Sequence, residues 1–415
     1  MKSFNISEIK NKLSSVDQMI VLFGAGDIGE LSSYALTKLG LKVNYFCDND
    51  KDKHDTERFG IKVLSFEELI KLKKDTNIFI SNNYYSSISV ELKNHGFTNF
   101  YDCVELLDKT DFKDKKFEVI HPLKIDRRIE YYKNMCLKDE YNASKTLHVK
   151  NLDVQITERC SLKCTNCSNL MQFYEKPVNE DLDLLFSSLD RFMDSIDKID
   201  EFRVLGGDPF MNKDMHKVVD KLVSYEKAGR IIVYTNGKIV PKGPNLECLK
   251  NEKVILDMTN YGIASNNAKA IIKVCEDNNI KYSETVTTVW QDCGEILPFQ
   301  KRTEEEKKRK FIDCCNSDQL SLLKGKIYRC PFAANGENLN AIPKNKDDLV
   351  DLSDPKITTT DLKKRIKNVV YDKDYIRACD FCNGRDYTVK KIKAAAQTNK
   401  PLPYVRVWFF PQIRE

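Results

Sequence analysis

Hydrophobic and polar positions along the chain follow two successive alternations and then change texture. From Met19 to about residue 110, short apolar runs alternate with stretches of helical period: MIVLFGAG, DIGELSSYALTKLG, KVNYFCDND, SFEELIKLKK, NIFISNN, a helix ending near His95, then TNFYDC. Strand-length apolar runs separated by amphipathic helices predict a parallel, doubly wound sheet. The pattern breaks at TDFKDKK. The first domain is therefore read as residues 1–110, followed by a charged connecting segment, 111–147, with one helix in IDRRIEYYKNMCL. A second alternation starts at LHVKNLDVQIT and continues through EFRVLGG, RIIVYTNG, KVILDMTN and KYSETVTTV. Helices are predicted between them in DLDLLFSSLDRFMDSI and MHKVVDKLVSYEKAG. This part, 148–310, needs a sheet of its own. From Phe311 the pattern turns to short strands about Lys324–Gly325, a polar loop, the helix TTTDLKKRIKNVV and a cysteine pair. It predicts a small α+β domain over 311–395 and a tail over 396–415. The fold class is α/β.

Composition changes little in this picture. At 415 residues the chain exceeds one compact core, and 41% hydrophobic with 31% charged residues is ordinary for a globular protein. The net charge of +5 comes from 67 basic and 62 acidic side chains interspersed along the chain, which argues against a nucleic-acid or membrane-surface partner. MKSFNISEIKNKL lacks an apolar stretch of signal-peptide length, and nothing later has the length of a membrane span. A cytoplasmic location is expected, and there 14 cysteines are not a disulfide framework. Cys47, Cys103, Cys136, Cys248 and Cys275 lie in apolar or amphipathic runs and read as packing residues. The others are grouped.

Cys160, Cys164 and Cys167 form C-x3-C-x2-C immediately after LDVQIT. Three thiolates on one short loop can converge on one metal centre, and sulfur selects zinc or iron–sulfur clusters. Structural zinc calls for four protein ligands, and no cysteine or histidine follows within twenty residues. A cluster with three ligands and one open iron fits the spacing better.

The motif resembles that of the radical S-adenosylmethionine (SAM) superfamily, in which C-x3-C-x2-C follows the first strand of a partial β/α barrel. Gly206, Gly207, Asp208 and Pro209 resemble that family's GGEP-type motif, with Asp208 in place of the usual Glu. Thr235 and Asn236 in YTNG, and Asn260 at the end of the next strand, follow in the order the family uses. The resemblance implies a [4Fe-4S] cluster on the three cysteines with SAM at its open iron. It also implies that the Gly206–Pro209 backbone receives the SAM amino group, and that Thr235, Asn236 and Asn260 line the SAM site. Asn166 stands where the family usually has an aromatic residue beside the adenine.

Cys315, Gly325 and Cys330 fall as C-x9-G-x4-C, and Cys379 and Cys382 as C-x2-C. This resembles the SPASM/Twitch extension of radical SAM enzymes and implies one auxiliary [4Fe-4S] cluster on Cys315, Cys330, Cys379 and Cys382. Cys314 is an alternative to Cys315, Cys293 an outside candidate, and a zinc ribbon the other use of the same four residues.

Gly24, Gly26 and Gly29 form G-x-G-x-x-G between a strand and a helix, with Asp48 at the end of the second strand. That context is the one a dinucleotide fold requires. It also resembles Rossmann-like domains of bacterial polysaccharide-biosynthesis proteins, which suggests a nucleotide or nucleotide-sugar ligand. A loop kept only for packing is the alternative.

Together these resemblances imply an oxidoreductase or epimerase acting on a sugar or nucleotide-sugar in surface polysaccharide assembly, with a flavodoxin- or ferredoxin-type reductant. Modification of a ribosomally made peptide is the second enzymatic reading. A non-catalytic iron–sulfur electron-transfer or sensing protein is the reading from another class.

Overall fold

The computed structural model describes residues 13, 18–113, 115–136, 146–317, 319–385 and 388–406. The first twelve residues, part of the stretch inspected for a targeting signal, and residues 407–415 of the expected tail lie outside these. The chain divides into two compact units, Met1–Ala143 and Ser144–Glu415.

In the first unit the strands are β1 (Ile20–Phe23), β2 (Tyr45–Cys47), β3 (Glu57–Arg58), β4 (Ile61–Leu64), β5 (Asn77–Ile80) and β6 (Phe100–Asp102). They form one sheet in the order β3-β4-β2-β1-β5-β6, parallel except for the β3–β4 pair. Helix α1 (Asp27–Lys38) follows β1, α2 (Phe66–Leu69) follows β4, α3 (Tyr85–Asn94) follows β5, and α4 (Val104–Asp108) follows β6. β1 and β5 are buried along their whole length, as strands of a parallel sheet covered on both faces must be. Helix α5 (Ile125–Cys136), expected in a connecting segment, instead belongs to this unit. Its Tyr132 is fully buried; the hydroxyl donates to Ile80 O and accepts from Cys103 N (2.8 Å). Ile125, Ile129, Tyr132 and Cys136 of this helix thus complete the core rather than spanning a gap.

The second unit holds β7 (His148–Gln155), α6 (Leu182–Ser195), β8 (Lys198–Leu205), α7 (Met215–Val223), β9 (Ala228–Thr235), α8 (Pro244–Glu247), β10 (Val254–Asn260), α9 (Ala268–Asp277) and β11 (Tyr282–Val286). After these come β12 (Val289–Gln291), α10 (Glu304–Ile312), β13 (Leu320–Leu323), β14 (Lys326–Tyr328), α11 (Pro331–Asn338), β15 (Leu349–Asp351), α12 (Thr359–Lys367) and β16 (Lys391–Lys393). Eight strands form one sheet in the order β11-β10-β9-β8-β7-β13-β14-β15, parallel from β11 to β13. The hairpin expected to open a separate domain turns at Lys324–Gly325, both at positive φ, as read. It does not stand apart: β13 pairs with β7, Leu320 opposite Leu152, and extends the same sheet. One face of the sheet is covered by helices, with Phe202 of β8 against Phe192 of α6 (ring centroids 6.5 Å apart). Because side chains alternate along a strand, Asn151, Asp153 and Gln155 of β7 and Glu201 and Arg203 of β8 face the other way.

Candidate functional site

The ends of β7, β8 and β9 bring three of the predicted segments into direct contact. Gly207 N donates to Thr157 O and Asp208 N to Arg159 O, both at 2.9 Å, so the GGDP turn lies along the backbone leading into Cys160. Side chains would prevent this. Gly206 has φ +147°, and a Cβ there would sit 2.1 Å from Thr157 O; at Gly207 it would sit 2.2 Å from Arg159 O. Pro209 starts a short 3-10 turn, and the buried Asp208 caps it by accepting from Phe210 N at 3.0 Å. The other Asp208 oxygen accepts from Thr235 Oγ1 (3.0 Å) and Asn236 N (3.2 Å). Asn236 in turn points its amide at Ser161 Oγ (3.1 Å) and Cys160 Sγ (3.5 Å). Asp208 therefore staples the β8 turn to the β9 turn beneath the cysteine loop, and burial raises its pKa. Asn260 is tied elsewhere, to Glu284 on β11 (2.7 Å) and Gly262 N (2.8 Å).

Cys160, Cys164 and Cys167 share one apolar cluster with Leu162, Ala395, Tyr261 and Trp290. Burial raises all three thiol pKa values, that of Cys164 to about 11, with the neighbouring Cys167 adding to it. Such thiols are protonated at neutral pH, and a metal must displace those protons to bind. Among the described residues no three His, Cys, Asp or Glu side chains converge as one bare ion would require. Three soft sulfur donors spread over one turn suit a cluster, in which each thiolate binds a different iron. Asn166 donates to Asp292 Oδ1 (3.0 Å), and Gly294 packs on its backbone, so segment 292–294 sits against the third-cysteine turn.

Cys330, Cys379 and Cys382 line one small cavity, together with Cys293, Cys314 and Arg385. Cys315 is not in that lining: Cys314, adjacent to it in the turn after α10, faces the cavity instead. The Cys315 N–H meets Arg385 O at 3.4 Å, and its Sγ lies 3.9 Å from Asn316 Oδ1. Arg385 was not singled out by the sequence. Its Nε donates to Cys293 Sγ and its Nη1 to Asn316 Oδ1, each at 3.0 Å. Burial would lower its pKa, but negative charge on the Cys293 and Cys315 sulfurs acts the other way and raises it on balance. Burial raises the Cys330 thiol to about 12, Arg385 opposing.

The sheet face opposite the helices carries a polar set that no motif marked. Asn151, Asp153, Gln155, Glu201 and Arg203 are all buried. Arg203 pairs with Glu201 (2.5 Å) and more loosely with Asp153 (3.8 Å), while Asn335 of α11 donates to Gln155 Oε1 (2.9 Å). Asn151 Oδ1, Asp153 Oδ1 and Gln155 Nε2 are left without a hydrogen-bond partner among the described residues. Burial raises the Asp153 pKa to about 6, with Arg203 opposing.

In the first unit the glycine loop is committed to its own backbone. Gly24 has φ +123°, and a Cβ at Gly29 would sit 2.0 Å from Gly24 O, so these two residues serve the turn and the packing of α1 on β1. A Cβ at Gly26 would meet nothing within 4 Å. Asp48 accepts from Ala25 N (2.8 Å), Asp50 N (2.9 Å) and Lys53 Nζ (2.8 Å), and Asp27 at the start of α1 holds Arg128. Asp48, the acid of the dinucleotide-type motif, is thus already engaged.

Residues 16–99 match the family described as C2185-like, N-terminal. A GTP 3',8-cyclase of Helicobacter pylori is 26% identical over 131 residues, 31% of this chain and 39% of that protein. One from Clostridium acetobutylicum is 28% identical over 98 residues, 23% of this chain and 30% of that protein. The chain spans about two fifths or less of the length of the curated relatives it matches. Among solved structures, BtrN in complex with AdoMet and 2-DOIA is 14% identical, with a TM-score of 0.39, covering 62% of this chain and 98% of that one. Across the described residues no helix is long and apolar enough to cross a membrane.

Proposed function

We propose that the second unit is a radical SAM enzyme acting on a small polyhydroxylated substrate, a sugar or nucleotide-sugar, by dehydrogenation or epimerisation. The observation that carries the reading is the contact of three segments: the cysteine loop, the GGDP turn and the Thr235–Asn236 turn, stapled by Asp208. Cys160, Cys164 and Cys167 would hold the cluster. When bound, the cluster and SAM supply an electron and a hydrogen-abstracting carbon radical, chemistry no side chain provides.

The chain's own share is positioning. The GGDP backbone is held against the residues that lead into Cys160, and Asn236 orients Ser161 and the Cys160 sulfur. The buried face of Asn151, Asp153 and Gln155 offers an acceptor amide oxygen, a carboxylate oxygen and a donor amide nitrogen with unmet hydrogen-bonding capacity. Buried polar atoms of both signs suit a ligand dense in hydroxyl groups, which both donate and accept. Cys314, Cys330, Cys379 and Cys382 would hold a second cluster, with Cys293 on Arg385.

The test is anaerobic incubation of iron-reconstituted protein with SAM, dithionite and deuterated nucleotide-sugars. Deuterium in 5'-deoxyadenosine is expected with one of them. Absence of SAM cleavage in a preparation with full iron content would refute the radical SAM assignment. Cleavage stimulated only by peptides would refute the substrate class.

A further inference from the structure

By its pattern the segment after the last cysteine pair closes the auxiliary domain and forms a tail. It runs instead as a strap over the cysteine loop. β16 pairs antiparallel with β12, Trp290 opposite Ile392. Beyond it, Thr165 N donates to Ala396 O (2.7 Å) and Thr398 N to Lys163 O (2.8 Å), forming an antiparallel bridge between Cys164 and Gln397. Further on, Leu402 N donates to Gln172 O (2.9 Å) and Tyr404 Oη to Leu339 O (3.0 Å), which anchors the far end. Ala395 between these anchors is buried and sits at φ +52°, a conformation an alanine keeps only where its surroundings impose it.

The Gln397 side chain completes the bridge. Its Oε1 accepts from Lys163 N at 2.7 Å. Because a backbone N–H can only donate, the amide oxygen must face Lys163, and the Nε2 group is thereby aimed at Cys164 Sγ (3.2 Å), sharing Ala395 O (2.7 Å). Both the loop's backbone and one of its three sulfurs are held from a segment more than two hundred residues away.

We propose that Gln397 is a positioning residue for the first cluster, and that the strap of residues 391–404 clamps the loop that ligates it; this rests on the reading of Cys160, Cys164 and Cys167 as cluster ligands. A donor directed at a ligating sulfur stabilises the more negative, reduced form, so hydrogen bonds to sulfur are among the levers that set cluster potentials. A three-cysteine loop has little regular structure of its own, and the strap supplies the missing ladder partner.

The experiment uses full-length, iron-reconstituted protein carrying Gln397→Ala, Gln397→Glu or Thr398→Pro, the last removing the N–H that bonds Lys163 O. Redox titration followed by electron paramagnetic resonance should show the cluster of Gln397→Ala about tenfold harder to reduce at unchanged iron content, ~59 mV for one electron. Gln397→Glu should move further in the same direction. In metal-free protein, alkylation of Cys164 relative to Cys160, mapped by mass spectrometry, should rise in Thr398→Pro. Potentials and Cys164 protection equal to wild type in all three variants would overturn the proposal. Wild-type protein that takes up no iron would instead overturn the cluster reading, leaving the clamp to be judged by Cys164 protection alone.

Discussion

Replacing Asp208 by Asn probes the staple beneath the cysteine loop. The carboxylate accepts three hydrogen bonds: from Phe210 N on one oxygen, and from Thr235 Oγ1 and Asn236 N on the other. An asparagine can keep its Oδ1 toward Phe210 N. Its Nδ2 can donate to the Thr235 hydroxyl, which reverses its role. It cannot accept from Asn236 N, so one backbone donor is orphaned. An unsatisfied buried donor costs about 1–3 kcal/mol. Taking ~2 kcal/mol, the closed arrangement of the β8 and β9 turns weakens about 30-fold. The loss falls on Asn236, whose side chain orients Ser161 and the Cys160 sulfur. Denaturation of the metal-free protein should show a loss of this size. Calorimetry of reconstituted protein should show SAM binding weakened by at least tenfold. Thr235→Val should couple to the substitution in a double-mutant cycle by more than ~0.5 kcal/mol. Unchanged stability, unchanged SAM affinity and strict additivity together would refute the staple.

Other outcomes follow from the same contacts. Cys314→Ala should lower the iron content of reconstituted protein while Cys315→Ala leaves it intact, because Cys314 and not Cys315 lines the cavity of Cys330, Cys379 and Cys382. Gly29→Ala should destabilise the first unit by about 2 kcal/mol or more in a melting experiment, its Cβ being driven onto Gly24 O. Gly26→Ala, which meets nothing within 4 Å, should melt within ~0.5 kcal/mol of wild type. Asp153 has its folded pKa raised from 3.8 to about 6 by burial, so the folded state binds the proton more tightly than the unfolded chain. Its contribution to stability is full below pH ~4 and is lost as pH rises to ~6. Asp153→Asn should flatten that slope in denaturation measured from pH 4 to 7, and an undiminished slope would assign it to another group.

Local order was largely legible in the chain. β1 is a continuous apolar run and β5 nearly one because both faces are covered, and the helical period of DIGELSSYALTKLG and DLDLLFSSLDRFMDSI needed only a sheet to pack on. The Lys324–Gly325 turn was visible because glycine suits the positive φ that a tight hairpin turn requires. C-x3-C-x2-C, GGDP and TN were legible as separate segments, since each chemistry is carried by neighbours a few residues apart. Tertiary structure decided what meets what. It set β13 beside β7, so the hairpin extends the main sheet, and it placed α5 in the first core through Tyr132. Asp48 fits a dinucleotide motif by spacing, yet only the folded loop shows its carboxylate turned onto Ala25 N and Lys53. The C-x9-G-x4-C spacing points to Cys315, whereas the direction of the folded turn puts its neighbour Cys314 in the cavity lining. Arg385 and Gln397 belong to no motif, because hydrogen bonding to Cys293 and Cys164 is a matter of distance in space, and these partners lie 92 and 233 residues apart along the chain.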